Sequence, residues 1–137
     1  MKIHTTDYQN TFIEVAADCP VKFSEAPPSR KTATAGEIQY EMIRSKPYHY
    51  SSDDVVFEVF ARKKDLTDEE RDNERAKFFS KGQPCLRSSV LCKRYGFGIH
   101  HNHESKIAIF STESEEYTQF LKDDSVHKVK AMRSKRN

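Results

Sequence analysis

No apolar run in this chain is longer than four residues, Ile107 to Phe110. That excludes a transmembrane helix, which needs about 20 consecutive apolar residues. It also restricts the fold to short amphipathic elements around a modest core. The 137 residues suit a single domain, residues 1–137. Apolar residues make up 36% and charged residues 32% of the chain, against a usual apolar share of about 45–50% that also counts Gly. A thin core under a highly charged surface is therefore expected. Six Tyr and nine Phe argue against wholesale disorder. The N-terminal MKIHTTDYQN lacks an apolar signal-peptide core. The three cysteines, Cys19, Cys85 and Cys92, then read as reduced thiols of a cytoplasmic protein.

Several segments announce their secondary structure. Thr11 to Val15 is β-rich and alternates loosely, which predicts a strand over about 11–15. Pro20, Pro27 and Pro28 mark residues 18–33 as a long loop. Thr34 and Glu37 have capping-box spacing, and Ile38, Met42 and Ile43 follow at helical spacing, so a helix runs from about 35 to 45, where Lys46-Pro47 ends it. Residues 52–64 carry conflicting signals. Val55, Val56 and Phe57 favour a strand. The leading Ser51-Ser52-Asp53-Asp54, the trailing Arg62-Lys63-Lys64 and the Glu58/Arg62 spacing favour a buried helix, which is the reading adopted.

A third helix starts at Thr67 and runs to Ser80 or Lys81, with Gly82 as its cap. Strands over about 96–101 and 106–110 flank a four-residue turn, Asn102 to Ser105, and form a hairpin. A helix over Glu115–Leu121 and an edge strand over about 126–132 complete the set, with Arg133 to Asn137 expected to fray. The predicted fold is α+β: a small, mainly antiparallel sheet with about four helices packed over one face.

Charge is distributed in blocks. Residues 1–74 carry a net −5, 75–103 a net +6 with no acid, 104–124 a net −4, and 125–137 a net +5 with no acid. Acid-free basic stretches attract phosphates, acidic partners or nucleic acid. The plainer reading is that acidic and basic blocks pair across the fold.

The strings Thr11–Val21, Pro47–Lys63, Phe78–His100 and Lys128–Arg136 together resemble an uncharacterised family of small, mostly bacterial proteins, a domain of unknown function. The resemblance spans essentially the whole chain. It departs from the family pattern at Val90, where Pro is usual, and at Phe97, where Trp is common. It implies a compact cytoplasmic domain and carries no catalytic residue or cofactor.

The candidate sites follow from residue chemistry. Arg87, Lys93, Arg94, Tyr95 and His100, beside Gly96 and Gly98, suit an anion pocket next to the hairpin, with Arg supplying a planar fork and Lys a point charge. The competing arrangement has Arg87 and Arg94 bridging acidic helices. Cys85 and His100 are the candidate nucleophile and base of a small enzyme, since such partners meet in space rather than in sequence. His101 and His103 would project to one face of a strand as metal ligands, with Glu104 beside them; a solvated turn is the plainer account. Tyr48 and Tyr50, with Gln39 and Glu41, could line a polar pocket. Tyr95 and Phe97 among cations would suit single-stranded nucleic acid, but recognisable binding strings are missing, so nucleic acid is not the expected partner. No P-loop, GxSxG, HExxH or dinucleotide fingerprint is present. The expectation is a non-enzymatic binding domain without cofactor, taking a small anionic ligand.

Overall fold

The protein is described by a computed structural model covering residues 3–135. Arg136 of the basic C-terminal block, and the fraying expected at 136–137, lie outside the described residues. The four strands are β1 (Thr11–Glu14), β2 (Phe97–His101), β3 (Ile107–Ser111) and β4 (His127–Lys130). The helices are α1 (Ala35–Ser45), α2 (Ser52–Lys63), α3 (Asp68–Phe78), α4 (Val90–Lys93) and α5 (Glu115–Lys122), with a 3-10 turn at Leu86–Ser88.

Local chemistry accounts for the helix starts. Thr34 Oγ1 accepts the Glu37 N–H at 3.2 Å and starts α1, while the Glu37 carboxylate turns to the N–H of Arg30 instead of closing the box. At α2 the box closes: Ser51 Oγ accepts from Asp54 N at 3.1 Å, and Asp54 Oδ2 accepts from Ser51 N at 3.0 Å. These caps decide residues 52–63 in favour of helix despite their β-branched content. α3 buries no residue and is tied to α2 by ion pairs, Arg71 to Glu58 at 2.7 Å and Arg75 to Asp54 at 2.9 Å. It ends at Phe78, not at Ser80 or Lys81, so Gly82 is not its cap. Phe78 and Phe79 turn inward against Phe57 and Phe60, and that packing stops the helix early.

The sheet order is β3-β2-β1-β4. β2 pairs antiparallel with β1 and β3, and β1 pairs parallel with β4, so the sheet is mixed. Asn102 Oδ1 accepts the N–H groups of Glu104 and Lys106 and fixes the β2–β3 turn.

Side-chain alternation gives the sheet two different faces. Ile13, Phe97, Ile99 and Ile107 face the main core with Ile38, Ile43, Val55 and Leu91. Phe12 and Phe110 face the opposite way and are covered by α5 through Tyr117 and Phe120, together with Val126. The expectation of helices over one face is corrected here. Tyr117 and Phe120 seal the second face, with Phe12 edge-on to Tyr117 and stacked on Phe120, both at 4.9 Å. The last described residues are pinned rather than frayed: the Asp18 carboxylate accepts the N–H groups of Ser134 and Lys135 at 3.0 and 2.9 Å. Those two N–H groups hold the Asp18 carboxyl below its usual range.

Candidate functional site: a basic recess and a neighbouring cleft

Arg87 sits on the 3-10 turn that follows Cys85. Its Nε donates to the Lys130 carbonyl at 2.8 Å, and its own carbonyl accepts the Met132 N–H at 2.8 Å. Two bonds therefore splice the first acid-free block to the second. Where they join lies a recess of about 390 Å³ lined by Ala17, Arg87, Lys130, Ala131, Met132 and Arg133. Three of these six are cations and none is an acid. Two carboxylates stand beside it: Glu14 lies 3.7 Å from Lys130 Nζ, and Asp18 is close enough to Arg133 for that cation to help lower its pKa.

The other members of the expected anion pocket lie elsewhere. Lys93 and Arg94 end α4, and Tyr95 lines a separate cleft; none of the three borders the recess. Among the described residues no carboxylate pairs with Arg87, Lys93 or Arg94, so they do not bridge the acidic helices. Cross-fold charge pairing does hold for Arg75, through Asp54.

His100 is on the α5 side of the sheet. Its Nδ1 lies 2.8 Å from the Tyr48 hydroxyl, and its ring stacks on Phe120 at 4.2 Å. Burial lowers its pKa against the opposing pull of Asp123. Cys85 is on the other side, with Sγ 3.2 Å from the Tyr8 hydroxyl. The two candidates for catalysis are thus not brought together, because successive strand residues point to opposite faces. The Tyr8 hydroxyl is pushed up to about 12 by burial and by Cys85, with Arg87 opposing.

His101 and His103 are also separated. His101 is 0% exposed with neither ring nitrogen partnered, whereas the side chain of His103 is 75% exposed in the turn beside Glu104. No cluster of metal-ligating side chains exists among the described residues.

The cleft lined by Tyr95 is larger, about 540 Å³, and lies between α1, α2 and the segment 83–95. Gln39 lines it, but Tyr48, Tyr50 and Glu41 do not, so the expected Tyr-rich polar pocket is not assembled. Gly36 lets α1 press against α4, since a Cβ there would collide with the Val90 side chain.

Sequence reasoning missed Lys130 and Arg133 as neighbours of Arg87. Their signal was the net +5 of the C-terminal block; what was lacking was the parallel β1–β4 pairing that brings it alongside Arg87.

Fold and site together define a small α+β domain in which Cys85 and His100 stand on different sides of the sheet. The chain belongs to a family of unknown function (DUF6157), whose model matches residues 3–137. No curated protein and no solved structure matches it. No helix among the described residues is long and apolar enough to cross a membrane.

Proposed function

We propose that this protein is a non-enzymatic binding domain that recognises a small, multiply charged anion at the recess of Arg87, Lys130 and Arg133. The carrying observation is the acid-free lining with three cations where the two basic blocks meet. Arg87 is pre-positioned, because its Nε is held by the Lys130 carbonyl. A guanidinium fixed in this way loses little freedom on binding, and its remaining N–H groups present a planar fork to phosphate or carboxylate oxygens. Three free thiols suit a reducing, cytoplasmic setting.

The test is isothermal titration with pyrophosphate at low and at physiological salt. Wild type binds, and binding weakens as salt screens the cations. Arg87→Gln and Lys130→Gln should each weaken it about tenfold, the scale of one lost charge-assisted bond. Absence of heat at millimolar pyrophosphate, or unchanged affinity in both variants, would sink the proposal.

A further inference from the structure

The larger cleft is a second site with different chemistry. One wall is apolar, built from Val56, Val59 and Phe60 of α2 and from Phe78. The lining also includes Gln39 of α1 and Cys85, Leu86, Ser88 and Ser89. Ser89 donates its hydroxyl to Gln39 Oε1 at 2.6 Å. That bond orients the amide, and its Nε2 donors have no protein acceptor among the described residues. Arg30 is the sole ionised side chain of the lining, which includes no carboxylate. Outside the lining, the Glu37 Oε1 accepts the backbone N–H of Arg30 at 3.2 Å.

We infer that this cleft binds a monocarboxylate carried on an apolar chain or ring, its oxygens at Gln39 Nε2 and Arg30 and its apolar body against α2. Volume, chemistry and preformation agree. A cleft of about 540 Å³ is in the range of small-molecule sites, which combine an apolar lining with a few placed polar groups. One guanidinium and one amide match a single carboxylate better than a polyanion. The Ser89–Gln39 bond holds the amide in place without any ligand. This site goes beyond the proposed anion recess and shares no lining residue with it.

Cys85 supplies the readout, because it is a residue of the cleft lining while Cys19 is not. The experiment is iodoacetamide labelling of the intact protein with sodium decanoate as the probe, resolved by peptide mass spectrometry. Decanoate should slow alkylation of Cys85 and leave Cys19 as the internal reference. Decan-1-ol, of equal chain length and no charge, should protect about tenfold more weakly, as expected for loss of a charge-assisted contact.

Arg30→Gln lies on an exposed loop and should weaken decanoate protection by a similar factor, with the unfolding temperature unchanged. Val59→Trp should fill the cleft and abolish protection. Arg87→Gln should leave protection intact even though it weakens pyrophosphate binding, so the two sites fail separately. Unaltered Cys85 labelling at saturating decanoate, equal protection by decan-1-ol, or full protection in Arg30→Gln would each overturn the assignment.

Discussion

The ring of Tyr8 meets the ring of His101 edge-on at 5.3 Å, and this contact leaves His101 enclosed with no polar partner for either nitrogen. A histidine in that position is held neutral. Burial pushes its pKa down to about 4, with the neighbouring His100 adding to the effect. The unfolded chain protonates the same residue near its ordinary value of about 6.5. Stability from this group is therefore complete above about pH 6.5 and is lost as the pH falls to about 4, by about 3 kcal/mol in all. Urea titrations between pH 7 and 4 should show that loss, and His101→Phe, which keeps the ring and removes the proton site, should flatten the slope. Asp7, raised mainly by burial, acts in the opposite sense near its own titration and is common to both proteins. An equal slope in wild type and His101→Phe would refute the assignment.

Gly98 carries a packing requirement. A Cβ there would collide with the Phe12 ring and come within 2.7 Å of Tyr117 Cε2. Gly98→Ala must push α5 off the sheet or distort β2, at a cost of about 1–3 kcal/mol. Thermal unfolding measures the cost. Loss of near-ultraviolet circular dichroism from the Phe12–Tyr117 cluster would locate it.

The Arg87 side chain joins two distant parts of the chain. Arg87→Ala removes the Nε bond to the Lys130 carbonyl and should destabilise β4 by about 1–2 kcal/mol. Hydrogen exchange should quicken at the β4 amides while those of α2 stay protected. Arg87→Lys, which keeps the charge but not the fork, should behave like Ala in this measurement.

The start of α2 gives a cleaner local test. Ser51→Ala removes one half of the capping box and should cost about 1 kcal/mol. The Asp54 carboxyl is held below its usual range: burial opposes this, but the Ser51 N–H, the Arg75 ion pair and the Ser51 hydroxyl outweigh it. Its contribution is present above the unfolded carboxyl range and is lost as the pH falls through the lowered folded value. Ser51→Ala should therefore raise the Asp54 pKa in a carbon-13 NMR titration.

The legible parts of this protein are those governed by neighbours in sequence. Thr34 Oγ1 with the Glu37 N–H at α1, Ser51 with Asp54 at α2, and Asn102 at the hairpin all act within four residues, so these bonds could be anticipated from spacing, whereas the Glu37 carboxylate reaches seven residues back to Arg30. Even the ambiguous segment 52–64 was decided by its ends, because a capped helix start outweighs β-branched composition. The end of α3 was misplaced because Phe78 and Phe79 answer to Phe57, which is distant in sequence.

The candidate site was only partly legible. Arg87 borders the recess, but the expected companions Lys93, Arg94, Tyr95 and His100 are chain neighbours that the fold disperses. Strand alternation sends His100 to the α5 face and His101 into the core. The basic blocks illustrate the same division: sequence alone determined that two acid-free segments exist and how much charge each carries. Only the tertiary structure decided that they meet, because the parallel register of β1 with β4 lays Lys130 beside Arg87. Charge is a property of composition, whereas a recess requires two segments to be in contact, and that contact depends on strand pairing across more than a hundred residues.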